Sequence, residues 1–161
     1  MSIFQKILVP VDFSVHSSFA LRTAADLARR FNGSITILHV HDPLPYALPG
    51  DLQPISKEQH GQLRAEIEKE LAALRVRAET GGASSVETLV TEGPPAEEIV
   101  RCAERGAFDL IVIGTHGRRG FQRMLLGSVA ERVTRLAACP VLSIRAPEEE
   151  LGKEKLWPPK P

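Results

Sequence analysis

The sequence predicts an α/β fold built on an open, doubly wound parallel sheet, and three observations carry that prediction. Short apolar runs, Ile7–Val11, Ile35–Val40 and Leu110–Ile113, have the length and composition of buried strands. Between them lie longer stretches whose apolar residues recur at helical spacing. The two kinds of segment alternate along the chain, and strict alternation implies parallel strands, right-handed crossovers and helices on both faces. At 161 residues the chain is long enough for one ordinary core, and one domain is expected over residues 1–146.

Each element has a local reason. Ile7–Val11 reads as the first strand, with Pro10 near its carboxyl end, where a missing ladder donor is tolerated. Ser14 is placed to cap a helix whose apolar face runs Ala20, Ala24, Leu27, Ala28 and Phe31, and Asn32-Gly33 stops it. Ile35–Val40 is the second strand. Residues 42–55 carry Pro43, Pro45, Pro49, Gly50 and Pro54, which mark a long loop suited to act as a lid.

Ser56-Lys57-Glu58-Gln59 has capping-box form, and the helix beyond it repeats Leu63, Ile67, Leu71, Leu74 and Ala78 before Gly81-Gly82. Val86–Val90 is a third strand, read as closer to a sheet edge than the others. Gly93-Pro94-Pro95 starts a helix with Ile99, Val100 and Ala103 inward, ended by Gly106. Leu110–Ile113 is the fourth strand. A helix over Ser128–Ala138, with Val129, Val133 and Leu136 on one face, and a strand over Val141–Ile144 complete the pattern. Residues 147–161 combine glutamates, lysines and Pro158-Pro159 and read as a disordered tail, with Trp157 docking locally.

Composition narrows the function. Twenty acidic and 20 basic residues cancel, so the field that draws a protein to nucleic acid or an anionic membrane is missing. No apolar run approaches the roughly 20 residues needed to cross a bilayer, and no charged leader precedes a cleavage site. A cytoplasmic location is expected. Cys102 and Cys139 lack metal or redox spacing and read as buried thiols without a chemical role.

Ligands of open parallel sheets bind outside the carboxyl ends of the strands. Asp12, Val40, Gly93 and Gly114 all fall at such ends. The stretch Gly114-Thr115-His116-Gly117 leaves the fourth strand, and after nine residues Gly127-Ser128-Val129-Ala130-Glu131 opens a helix. Glycines let a backbone approach a ligand closely, and helix-entry amides attract anions, so this pattern suggests a phosphate cradle. Ser128 also has capping-box spacing to Glu131, which gives its hydroxyl a purely structural alternative. No P-loop, no Gly-x-Gly-x-x-Gly after the first strand, no Gly-x-Ser-x-Gly elbow and no zinc spacing is present. His39 and His41 share one face of their strand and read as a satisfied, half-buried pair.

Pro10-Val11-Asp12-Phe13-Ser14, His39-Val40, Glu92-Gly93 and the Gly-x2-Gly-x9-Gly-Ser motif from Gly114 to Ser128 together resemble the universal stress protein family, over residues 3–145. The glycine motif resembles that of the branch that binds ATP. The resemblance implies a five-stranded parallel sheet in the order 3-2-1-4-5, adenine-nucleotide alpha-hydrolase-like, usually dimeric, with ATP across the switch between strands one and four.

The resemblance also implies roles. Asp12 would contact the adenosine, Val11 and Val40 would wall the adenine, and Pro10 and Gly93 would join the same binding set. Gly114 and Gly117 would admit backbone amides to the ribose and phosphates, over an apolar floor at Ile113, where the family often has methionine. Gly127, Ser128 and Val129 would hold the outer phosphates. Arg118, Arg119 and Arg123 either neutralise phosphate charge or form a solvated loop, and His116 either donates to a phosphate or shapes the turn.

Three functions follow as expectations. The first is an ATP-binding regulatory module of the stress response, with Mg accompanying the nucleotide. The second is slow ATP hydrolysis or autophosphorylation at Ser128 or a nearby hydroxyl, for which no carboxylate stands beside the glycine motif. The third is a dimeric interaction protein that holds no nucleotide. A homodimer paired through Val141–Ile144 is compatible with the first and third, because an apolar edge strand needs cover.

Overall fold

The computed structural model describes residues 3–42, 56–115 and 127–150. The elements run β1 (Lys6–Pro10), α1 (Val15–Phe31), β2 (Ser34–His41), α2 (Lys57–Thr80), β3 (Val86–Glu92), α3 (Pro95–Arg105), β4 (Leu110–Gly114), α4 (Ser128–Leu136) and β5 (Val141–Ile144). A 3-10 turn at Glu148–Glu150 follows, so the first residues of the expected tail have local structure. The segment 43–55 expected to act as a lid and residues 151–161 of the tail, Trp157 included, lie outside the described residues.

All five strands are parallel in the order β3-β2-β1-β4-β5. Ile7 stands opposite Ile35 on one side and Leu110 on the other, which centres β1 in the sheet. From that centre the chain turns one way through β2 and β3 and the other way through β4 and β5. The change of direction falls between β1 and β4, and a crevice opens where the crossovers part.

The apolar runs conceal a period of two that the helices resolve. Ile7, Val9, Ile35, Ile37 and Val112 pack under α1 and α2, with Leu21, Ala24, Ala28, Leu71 and Ala78. Leu8, Leu38, Ile111 and Ile113 face the other way, against Ile99, Ala103, Ala130 and Val133 of α3 and α4. Fully burying a side chain of this size stabilises the fold by about 1.5–3 kcal/mol, so the two-sided strands anchor both layers.

The helix boundaries follow their caps. Asn32 ends α1 in the left-handed region with φ 54°. Gly33 then passes Phe4, where a Cβ would overlap the carbonyl oxygen, so that close approach requires glycine. The capping box of α2 is complete: the Gln59 amide donates to Ser56 Oγ at 3.2 Å and the Ser56 amide to Gln59 Oε1 at 2.9 Å. The Asp109 carboxylate accepts from the Gln5 and Lys6 amides at 2.7 and 3.1 Å, clamping the start of β1 beside the start of β4.

Some expected faces are corrected. Leu21 and Ala25 join the buried side of α1, whereas Phe31 is exposed and meets Phe4 edge-on at 5.4 Å. Leu136 closes α4 two residues earlier than expected and is 47% exposed, at the point where the chain leaves the helix to return to the sheet at β5. β3 extends to Glu92 and does form an edge, as does β5 at the opposite side. Cys102 and Cys139 are half-buried where buried thiols were expected, and that burial pushes both above the ordinary thiol value and favours the protonated form.

Candidate functional site

β1 delivers Pro10, Val11 and Asp12 to the mouth of the crevice. Pro10 ends the strand and is buried, and the Val11 amide still donates to the Leu38 carbonyl at 2.8 Å. Asp12 follows, half-buried, with its Oδ1 accepting the Ser14 amide at 3.1 Å. That bond orients the carboxylate and prepares the helix start. Ser14 Oγ then accepts the Ser17 amide at 3.2 Å, and the Ser17 and Ser18 hydroxyls donate back to the Ser14 carbonyl. The N-terminus of α1 is closed by its own side chains.

Between Asp12 and Ser14 the backbone takes a costly form. Phe13 has φ 63°, a conformation that costs a residue with a Cβ on the order of 1–3 kcal/mol. Its ring stacks on His39 at 4.7 Å with an interplanar angle of 32°. His39 Nδ1 lies 2.8 Å from the Val11 carbonyl oxygen; a carbonyl only accepts, so Nδ1 carries the hydrogen. Neither Phe13 nor His39 stood in the expected binding set. The signal in the sequence was the placement of His39 opposite Val11 once β1 and β2 are paired in parallel.

β4 brings Ile113 and Gly114 to the same end of the sheet. Ile113 is buried on the α3 and α4 side. Gly114 has a requirement of its own. A Cβ on it would lie 2.8 Å from the His16 carbonyl carbon and 2.9 Å from the Ser17 amide nitrogen, so glycine lets α1 pack directly on the end of β4. His16 adds a second tie: its Nδ1 accepts the Ala146 amide at 3.0 Å, fastening the chain after β5 to the start of α1.

Thr115 closes the base of the glycine segment. Its amide donates to the Ile144 carbonyl at 2.8 Å, and its own carbonyl accepts the Gly127 amide. The chain therefore leaves the sheet at residue 115 and returns to the same point at residue 127. His116, Gly117, Arg118, Arg119 and Arg123 lie outside the described residues.

The start of α4 departs from the expected capping box. Gly127 is the N-cap, with φ −71° and ψ 152°, and makes no side-chain cap bond. Ser128 is thus the first helical residue and is exposed, and Glu131 is displaced one position beyond capping-box spacing. The reason is geometric: a hydroxyl at the first helical position cannot fold back onto the second or third amide, as an N-cap hydroxyl does. No side chain of α4 itself therefore caps its first amides, the arrangement that favours an anion at a helix start. Val129 turns inward against the α3 and α4 core.

The remaining positions separate. Val11 is 5% exposed and packed into the α1 and α2 core, whereas Val40 packs on the opposite face of the sheet, against the α3 and α4 core. Their side chains do not form one wall. Gly93 sits at φ 138° and donates its amide to the His41 carbonyl at 3.0 Å, so its glycine is required by the β3 to α3 turn. Among the described residues no group of three or more His, Cys, Asp or Glu is placed to hold a metal, and no helix is long and apolar enough to cross a membrane.

Comparison with known proteins bears on this arrangement. The family model of the universal stress protein family matches residues 3–145. A universal stress protein of Methanocaldococcus jannaschii is 39% identical over 152 residues, covering 92% of this chain and 86% of that protein. The structure that served to assign the biochemical function of a hypothetical protein, a second universal stress protein of that organism, superposes with a TM-score of 0.80 at 29% identity, covering 91% of this chain and 99% of the other.

Two further solved relatives carry ligands. A universal stress protein in complex with cAMP has a TM-score of 0.69 at 26% identity, over 91% of this chain and all of that one (100%). One from Archaeoglobus fulgidus in complex with dAMP has a TM-score of 0.63 at 26% identity, over 89% and 99%. With its 3-2-1-4-5 parallel sheet and its match along almost the whole described length, the chain belongs to the universal stress protein family.

Proposed function

We propose that the protein binds an adenine nucleotide, ATP in the first instance, at the mouth between β1 and β4, and acts as a nucleotide-dependent regulatory module. The observation that carries this reading is the start of α4. Among the described residues no side chain caps the first amides of the helix, and the Gly127 to Thr115 bond holds that helix start against the end of β4. Such a terminus attracts negative charge, worth about 0.3–1 kcal/mol when exposed and more when partly buried. Asp12 stands at the neighbouring strand end with an oriented carboxylate suited to a ribose hydroxyl or an adenine amino group.

The ligands of the cAMP and dAMP complexes among the relatives support the adenosine part of this reading, and the glycine motif supports the longer phosphate chain. Gly114, Ile113, Val40 and Val129 would frame the nucleotide, with Pro10, Val11 and Gly93 contributing backbone. The donors at α4 suit phosphate. Mg would be held by the phosphates and water, since no protein ligand cluster for it stands among the described residues.

Mass spectrometry of the ligand released on denaturing the purified protein tests this reading, followed by calorimetric titration with ATP, AMP and cAMP. An adenine nucleotide released from the protein, or ATP binding in the micromolar range or tighter, supports it; the absence of both overturns it. We also propose a homodimer paired through β5, an edge strand on which Leu142 is 37% exposed. Light scattering that reports a monomer at micromolar concentration would remove the dimer without touching the nucleotide reading.

A further inference from the structure

We infer that His39 is a positioning residue: with Phe13 it forms a clamp that holds the Val11–Phe13 turn in the form that presents the Asp12 carboxylate. The inference rests on the nucleotide reading above and adds to it a residue pair outside the binding set. Four observations converge on it. Phe13 occupies the left-handed region at φ 63°, which an unsupported phenylalanine leaves readily. The His39 ring lies against the Phe13 ring at 4.7 Å. The same imidazole donates from Nδ1 to the Val11 carbonyl at 2.8 Å. The Asp12 carboxylate, between these two anchored residues, accepts the Ser14 amide at 3.1 Å.

One side chain thus grips the turn on both sides of Asp12, through a hydrogen bond before it and a ring contact after it. β2 can place a side chain there because β1 pairs with it in register, Pro10 opposite Leu38, and the Val11 amide continues that ladder. Parity then directs His39 away from Val40, which packs on the α3 and α4 side. His39 accordingly acts on the ligand through Asp12 and not by touching it.

The test separates the hydrogen bond from the ring. His39→Phe keeps a ring and loses the donor, whereas His39→Asn keeps a donor near the Nδ1 position and loses the ring. Phe13→Leu keeps a side chain that disfavours the left-handed backbone and loses the aromatic stack. Two quantities are read for each: ATP affinity by calorimetry, and exchange of the Ser14 amide by NMR in the nucleotide-free protein, which reports the Asp12 bond directly.

The expected result is that His39→Phe exchanges Ser14 at least tenfold faster and binds ATP at least tenfold more weakly, while His39→Asn recovers most of both. Phe13→Leu lies between them. If His39→Phe fails to fold by circular dichroism, Phe13→Leu carries the test alone, and Ser14 exchange and ATP affinity both unchanged in it overturn the clamp. A folded His39→Phe with wild-type Ser14 exchange, or with faster exchange and wild-type affinity, also overturns it. A wild-type protein that binds no adenine nucleotide overturns both readings, and the wild-type titration alone makes that failure distinct.

Discussion

Helices α1 and α4 begin at the mouths of adjacent central strands, β1 and β4, and the two starts are built in opposite ways. At α1 the local sequence supplies everything the helix needs: Ser14 caps the Ser17 amide, Asp12 receives the Ser14 amide, and two further hydroxyls return to the Ser14 carbonyl. At α4 a glycine takes the cap position, and among the described residues no side chain caps the helix. Both satisfy the same fold, so packing alone does not require the difference. It teaches that, among the described residues, the α1 side is closed by its own side chains and the α4 side is not, the contrast on which the proposed phosphate site rests.

The sharpest way to break that contrast is to close the open terminus. Gly127→Asp supplies both a cap and a negative charge; a like charge beside phosphate costs several kcal/mol, so ATP affinity is expected to fall roughly 100-fold. Thermal stability should hold or rise by a few tenths of a kcal/mol, since aspartate caps slightly better than glycine (~0.3 kcal/mol). Calorimetric titration with thermal unfolding on the same sample reads both. Undiminished ATP binding would show that α4 does not hold the phosphates.

Next in size is the contact that joins the two starts. Gly114→Ala places a Cβ 2.8 Å from the backbone of His16, and such overpacking costs about 1–3 kcal/mol. Urea denaturation should show a lower midpoint with an unchanged slope. A wild-type midpoint would mean that α1 and β4 have room to part, and Gly114 would then be a ligand glycine only.

The smallest effects form a matched pair. Ser14→Ala removes a working cap and is expected to cost about 1 kcal/mol of stability. Ser128→Ala removes an exposed hydroxyl that caps nothing and should change stability by less than about 0.5 kcal/mol. Denaturant midpoints for the two variants check this. Equal losses would restore the capping box that the sequence suggested for Ser128 and erase the difference between the two helix starts.

Much of this was legible beforehand where the signal is local. Ser56 and Gln59 announced their capping box, Asn32 its left-handed stop, and Leu110–Ile113 its buried strand, because each depends on residues within a turn of one another. Ser128 misled because serine followed three residues later by glutamate has the same spelling whether serine is the cap or the first helical residue. The choice is made by Gly127, whose extended backbone and bond to Thr115 belong to the return of the chain onto β4. Val11 and Val40 misled for a different reason: each is apolar at a strand end, and only the paired sheet reveals that they look out of opposite faces.

The amino-acid sequence by itself determined the order and type of the elements, the parallel doubly wound class and the family, since periodicity, caps and glycine spacing are written within short windows. Tertiary structure alone decided what each special residue is for. Gly114 serves the approach of α1, Gly93 serves a left-handed turn, and His39 reaches Val11 and Phe13 across a strand boundary. The physical reason is that a missing Cβ or an available ring nitrogen is a capacity, and its use is set by which backbone, carbonyl or ring the rest of the fold brings within contact distance.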